Sequence, residues 1–312
     1  MSGARERVLA RLTDSGYAAG WRAVRMLPEP VARGLFDRAG EWAAGRDGAG
    51  VRRLRANLRV VTGGALSEPE LDELTRRAMR SYARYWQEAF RLPTLGTRRI
   101  LAGTTVDGVE HLRKARDEGR GVIIALPHSG NWDAAGVWFV DWLDGPFMTV
   151  AERLRPESLY RRFLDYRESL GFRVVPLTGG PRPSAEVLRE WLAAGGSACL
   201  LVDRNLGAGG VPVRFFDRPA TMPGGAAALA AETGAALHPV VSRFDGPGWR
   251  HRVYPEVPVA DASRTAVAAA MQQVADAFTA GIAQAPEDWH MLGRVWPDVG
   301  ADAPRSPQRE PA

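Results

Sequence analysis

Apolar positions along this chain recur with two different periods, and each change of period marks an element boundary. From residue 106 onward, short apolar runs alternate with segments in which apolar residues return every three or four positions. Val122-Ile123-Ile124-Ala125-Leu126 and Ala198-Cys199-Leu200-Leu201-Val202 carry no charged side chain, which predicts strands buried on both faces. Phe147–Ala151, 172–177, 236–244 and 251–257 read as further strands, and 211–216 as a short extended piece. Between them, 110–118, 134–143, 156–170, 184–194, 223–233 and 262–284 have helical spacing. Gly119, Gly171 and Gly195-Gly196 close three of these helices, and Pro223 suits the first turn of another. Strands alternating with helices predict an α/β fold with a mostly parallel central sheet flanked by helices.

The first hundred residues follow the helical period alone. Tyr17, Trp21, Val24, Val31 and Leu35 are interleaved with Arg22, Arg25, Arg33 and Arg38, and Pro28 and Pro30 divide the pattern in two. A basic amphipathic helix that carries tryptophan can lie in a membrane interface or pack on its own domain. Val51, Leu54, Leu58 and Val61 mark a second helix, ended near Gly63-Gly64. Ser67 and Glu70 have the capping-box spacing and open a third helix, expected to stop before Pro93. The expected organisation is a helical, membrane-associating region over 1–100 packed on an α/β core over 101–299. A polar, proline-rich, disordered tail over 300–312 follows.

Composition narrows the class. Hydrophobic residues make up 45% and charged residues 25%, the balance of a folded globular chain. Cys199 is the single cysteine, which excludes an intramolecular disulfide and a multi-cysteine metal site. The formal charge of +5 comes almost wholly from arginine, Lys114 being the one lysine, and favours an anionic partner. There is no GxGxxG or Walker sequence and no recognised nucleic-acid motif, so no nucleic acid is expected as partner. The histidines, at 111, 128, 238, 251 and 290, lack metal-ligand spacing, so no metal is expected. No stretch reaches the roughly 18 apolar residues that cross a bilayer, and the N-terminus lacks the apolar segment of a secretory signal. A cytoplasmic protein, soluble or bound at a membrane surface, is the expectation.

The candidate chemistry lies where buried strands end. His128 follows the run at 122–126, and Asp133 comes five residues later, beyond the small polar turn Ser129-Gly130-Asn131. In open α/β sheets ligands bind at the carboxyl ends of the strands. If that turn folds back, the Asp133 carboxylate can bond one ring nitrogen and leave the other free to take a proton. Asp203 and Arg204 repeat the placement after the run at 198–202, and Glu152 follows Phe147–Ala151 in the same manner. Arg167, on the next predicted helix, offers a planar fork suited to phosphate or carboxylate. On spacing alone, His290 reads as a core or surface histidine, and paired charges at strand ends are also common in structural roles. Ser129 is not set in a Gly-x-Ser-x-Gly elbow, so a serine hydrolase is unsupported.

PHSGNWD, AERLRPESLYRRFLDYRESLG, LLVDRNL, VPVRFFDRPATMPGGAAALA and DWHMLGRVWP, in that order, resemble the bacterial lipid A biosynthesis acyltransferase family. Within it the chain is most similar to the actinobacterial branch that acylates phosphatidylinositol mannosides, from the N-terminal helices to about residue 297. The resemblance implies transfer of a long acyl chain, palmitoyl in the expected case, from acyl-CoA to a mannose hydroxyl of an anionic glycolipid. That transfer would take place at the cytoplasmic face of the membrane, with no cofactor beyond the donor substrate. It implies His128 as general base, without an acyl-enzyme, beside an apolar channel for the acyl chain. Asp133 matches the motif aspartate, and Asp203 an acidic position expected to pair with the histidine, so either carboxylate could orient the imidazole. Glu152, Arg167 and His290 match polar positions near the sugar site, and Arg204 is expected with them among the substrate-binding residues. The branch carries Arg-Asp-Leu after its acidic residue where this chain has Arg204-Asn205-Leu206, a loss of charge that bears on the acceptor rather than the chemistry. The competing class is a non-catalytic lipid-binding or membrane-scaffold protein, which would bind liposomes without acyl transfer.

Overall fold

The buried runs become the middle of a sheet in a computed structural model that describes residues 20–152, 157–205 and 209–299. In chain order the strands are β1 (Thr104–Asp107), β2 (Val122–Leu126), β3 (Phe147–Ala151), β4 (Arg173–Pro176), β5 (Ser197–Leu201), β6 (Val211–Phe215), β7 (Arg218–Met222), β8 (Ala236–Asp245) and β9 (Gly248–Val253). The helices are α1 (Glu29–Gly45), α2 (Ala49–Val61), α3 (Glu68–Leu95), α4 (Thr97–Ala102), α5 (Glu110–Asp117), α6 (Trp132–Leu143), α7 (Glu157–Ser169), α8 (Ser184–Ala193), α9 (Gly225–Thr233) and α10 (Arg264–Ile282). A further helical stretch covers 20–26. Tyr17, the predicted helix start at Pro156 and the predicted tail lie outside the described residues.

Seven strands form one sheet in the order β1-β9-β8-β2-β5-β3-β4, and β6 and β7 form a separate hairpin. From β8 to β4 every pairing is parallel; β9 runs antiparallel to β8 and parallel to β1. The α/β fold with a mostly parallel sheet flanked by helices, expected from the alternating periods, is what the chain adopts. Side chains alternate across β2, and this divides the core. Ile123 and Ala125 join the cluster formed with α8, α9 and α10, which includes Leu188, Leu229 and Phe278. Val122, Ile124 and Leu126 join the opposite cluster with Tyr85, Leu112 and Val137, from α3, α5 and α6. Burying each large apolar side chain contributes about 1.5–3 kcal/mol, so the two layers hold β2 from both sides.

Some elements differ from the sequence reading, each for a local reason. α3 runs past Pro93 to Leu95. The proline falls in the last turn, where a missing N–H costs one bond rather than a ladder. β9 starts at Gly248 rather than at 251, because Asp245 pairs with Gly248 across a tight hairpin. Beyond Val253 the pattern continues only as an isolated bridge from Val257 to Leu237, since Pro255 and Pro258 cannot donate to a ladder. β7 went unpredicted because Phe216 and Asp217 form its turn with positive φ (48° and 57°), where Asn-Gly would have been the usual signal.

Candidate active site

His128 and Asp203 come from neighbouring strands at the same level. The register pairs Leu126 of β2 with Leu201 of β5, and each site residue follows two positions later. The Asp203 Oδ1 lies 2.6 Å from Nδ1 of His128. Oδ2 accepts two bonds, from the His128 backbone N–H at 2.9 Å and from the Trp289 indole N–H at 2.9 Å. Burial would raise the pKa of this carboxylate, but the adjacent imidazole and the three donors outweigh it and hold it below the usual range. With an ionised carboxylate on Nδ1, that nitrogen carries the proton and Nε2 presents a lone pair. The His128 side chain is 24% exposed, so Nε2 stays within reach of a substrate.

The loop after β2 is tied down at nearly every residue. Ser129 donates to the Ser242 carbonyl through its hydroxyl, the Gly130 N–H donates to the Asp288 carbonyl at 2.9 Å, and the His290 N–H donates to the His128 carbonyl at 2.8 Å. Gly130 has φ +58°, and a Cβ there would sit 2.8 Å from the backbone nitrogen of Arg243. Only glycine fits this position. Asn131 then caps α6, its Oδ1 accepting from the Ala134 N–H at 3.0 Å while its amide donates to the buried Glu88 at 2.7 Å.

That cap starts α6 at Trp132 and places Asp133 within its first turn. The buried Asp133 accepts from Arg167 Nε at 3.1 Å and from the Tyr85 hydroxyl at 3.2 Å, while the imidazole bonds Asp203. The fold-back of Asp133 onto His128 that the spacing allowed is thus replaced by a link between α6, α7 and α3. Burial disfavours the Arg167 cation, yet the Asp133 charge raises its pKa above the ordinary arginine value. Burial and the same carboxylate push the Tyr85 hydroxyl well up, so it stays protonated as a donor.

The remaining predicted residues also gather at this end of the sheet. Glu152, beyond β3, pairs with Arg204, beyond β5, at 3.0 Å. His290 is buried, with Nε2 2.8 Å from the Ser81 hydroxyl, which itself donates to Asp288 at 2.6 Å. His290 Nδ1 has no partner among the described residues. Burial, aided by His128, pulls the His290 pKa down to about 3, so it is neutral at physiological pH. Trp132 meets His128 edge-on at 5.6 Å and stacks on Tyr85 at 4.0 Å, giving the imidazole an aromatic wall.

Sequence reasoning missed Ser81, Asp288 and the indole of Trp289. Trp289 and Asp288 sit inside DWHMLGRVWP, but nothing in that string shows that the indole reaches a carboxylate 86 positions away. Ser81 gave no signal, being 209 positions from the histidine it meets. Among the described residues no group of His, Cys, Asp or Glu could hold a metal ion. The arrangement is a histidine whose ring is oriented by a buried acid, with the second ring nitrogen left without a protein partner among the described residues, a geometry that suits acceptance of a proton.

Known proteins match over most of the chain. The family described as bacterial lipid A biosynthesis acyltransferase matches residues 4–297. The chain is 53% identical over 286 residues to a phosphatidylinositol mannoside acyltransferase of Mycolicibacterium smegmatis, a match that covers 92% of each chain. It is 48% identical over 297 residues to the protein of the same description in Mycobacterium tuberculosis, covering 94% of this chain and 91% of that one. With every segment of the site inside the matched stretch, the chain belongs to the bacterial lipid A biosynthesis acyltransferase family.

Proposed function

We propose that the chain transfers a long acyl group, palmitoyl in the favoured case, from acyl-CoA to a mannose hydroxyl of a phosphatidylinositol mannoside. The observation that carries this reading is the 2.6 Å contact between His128 Nδ1 and Asp203, which commits one ring nitrogen and leaves the other as base. His128 Nε2 takes the hydroxyl proton as the mannose oxygen bonds to the thioester carbonyl carbon. The tetrahedral adduct then collapses, the carbon–sulfur bond breaks, and the imidazolium returns its proton to the departing thiolate. Asp203 balances the imidazolium charge between these steps. Trp132, edge-on to the imidazole, supplies apolar surface beside the base for the acyl chain. The mycobacterial relatives, by their description, act on the same lipid class.

Work at the cytoplasmic face of the membrane belongs to the same proposal. Met26, Val31, Leu35 and Trp42 are large apolar side chains at 74%, 48%, 49% and 64% exposure. Exposed Arg22, Arg38 and Arg46 stand among them, a pairing that suits an anionic lipid surface. No helix of the described residues is long and apolar enough to cross a membrane.

The test is His128→Ala, incubated with palmitoyl-CoA and phosphatidylinositol mannosides, with product masses read directly. General-base loss costs roughly 10²–10⁴-fold in rate, so product should fall by at least a hundredfold with an unchanged circular dichroism spectrum. Undiminished transfer would remove His128 from the reaction. Liposome binding by the wild type without any transfer would favour a non-catalytic lipid-binding protein instead.

A further inference from the structure

Beside the dyad lies a pocket of about 290 Å³ that the chemistry of proton transfer leaves unused. Asp203 forms part of one wall; Arg204, Asn205, Thr221, Arg294 and Val295 are among the others that line it. Arg204 gives one guanidinium nitrogen to Glu152 at 3.0 Å. Its Nε is shut off from solvent and has no hydrogen-bond partner among the described residues. A buried donor left unpaired costs about 1–3 kcal/mol. Arg294 is exposed and makes no ion pair or hydrogen bond among the described residues. It is also the one charged residue of the DWHMLGRVWP segment that neither the dyad nor its supports employ.

The pocket is built rather than incidental. Asn57 of α2, itself buried, donates to the carbonyls of Met291 at 2.8 Å and Gly293 at 2.9 Å, fixing the chain that enters Arg294. Two residues beyond, the buried Trp296 indole donates to the Phe215 carbonyl at 3.1 Å and stacks on Phe215 at 5.7 Å. Arg294 therefore sits between two anchors. Across the pocket, Thr221 is held in the β6–β7 ladder opposite Pro212. The one carboxylate in the wall, Asp203, has its charge spent on His128 and Trp289. The unspent charge facing the cavity is cationic and comes from guanidinium groups, whose forked donors fit phosphate oxygens.

We propose that this pocket is a phosphate-ester subsite in which Arg294 and Arg204 hold a substrate phosphate next to the transfer centre. The inference rests on the acyl-CoA and phosphoinositide reading above and deepens it. Two sources share this chemistry, the phosphates of the thioester donor and the phosphodiester of the lipid acceptor.

Binding without turnover separates them. The full chain and its Arg294→Gln variant are titrated calorimetrically with coenzyme A and with pantetheine, which lacks the nucleotide phosphates. The same pair is titrated with inositol 1-phosphate and with inositol. A hydrogen bond to a charged group is worth about 1.5–3 kcal/mol, so Arg294→Gln should weaken one of the two phosphate esters at least tenfold. Its phosphate-free counterpart should bind both proteins alike, and the ester that responds names the source. Equal affinity of both proteins for both esters overturns the subsite, as does an equal loss for the phosphate-free compounds. His128→Ala should bind like the wild type. Loss of transfer in that variant, or its absence in the wild type, thus bears on the catalytic reading alone.

Discussion

Asp203 has two oxygens and three donors, and the way they are shared decides what His128 can do. Oδ2 takes the His128 backbone N–H and the Trp289 indole, which turns Oδ1 onto the imidazole. Trp289→Phe keeps an aromatic ring among Phe215 and Trp296 and removes only the indole donor. A carboxylate that loses a donor is less compensated and stabilises the imidazolium more, so the acid limb of the kcat profile should move to higher pH. The looser carboxylate should also cost about tenfold in kcat, the worth of roughly one hydrogen bond to a charged group, with KM little changed. The charged and titratable groups around the pair are Asp133 on α6, Arg167 on α7, Tyr85 on α3, Glu152 beyond β3, Arg204 beyond β5, and Asp288, His290 and Arg294 beyond α10. Asp288, pushed up to about 6 by burial, is a second group that titrates near neutral pH. The comparison is therefore repeated in an Asp288→Asn background. A purely packing role for Trp289 would lower the melting temperature and leave the limb in place.

Among the elements, α1 carries the clearest division between a face that packs and a face that does not. Gly40 lies so close to α3 that a Cβ would fall 2.7 Å from the Met79 carbonyl, and Ala32 is fully buried on the same side. Val31, Leu35 and Trp42, four and seven residues apart, share an outward stripe, with the Arg46 guanidinium 4.4 Å over the Trp42 ring. If this stripe meets the membrane, Leu35→Glu with Trp42→Glu should cut co-sedimentation with anionic vesicles severalfold. The variant should keep the wild-type melting temperature, because neither side chain packs in a core; unchanged vesicle binding would exclude the stripe. The same helix shows what the sequence made legible. The 3.6-residue period gave the helix, and the buried runs gave β2 and β5 nearly to the residue, because each period has a single structural solution. Strand ends 75 positions apart could be suspected but not registered. The choice of Asp203 over Asp133 depends on Leu126 pairing with Leu201, a long-range register that no local pattern encodes. The Ser81, Asp288 and Trp289 supports are likewise tertiary, and the two residues of the β6–β7 turn hide a hairpin behind side chains that rarely make one.

For the whole molecule, the buried titratable groups set how stability answers to pH. Burial pulls His251 of β9 from 6.5 to about 4 and pulls His290 to about 3. Between those values and 6.5 each binds fewer protons folded than unfolded, so stability rises with pH across that interval and is lost as pH falls through it. Asp203, held below its usual range, acts in the same direction. Asp288 acts in the opposite one: raised from 3.8 to about 6, it binds more protons when folded, and its share of stability declines between those two values. His238, lowered by burial in the same way, joins the other two histidines, so three histidines and one carboxylate against a single carboxylate leave a fold that weakens in acid. His251 meets the Ser242 hydroxyl at 2.9 Å, and the Ser242 carbonyl holds Ser129 beside His128, so charging His251 disturbs the support of the dyad loop. His251→Gln keeps an amide for Ser242 and takes no proton. Urea unfolding at pH 7 and pH 4.5 should show the wild type losing about 2 kcal/mol more than the variant over that range, from the linkage between the two histidine pKa values. Parallel losses in the two proteins would mean that His251 is not held neutral by its burial and that the acid sensitivity arises elsewhere.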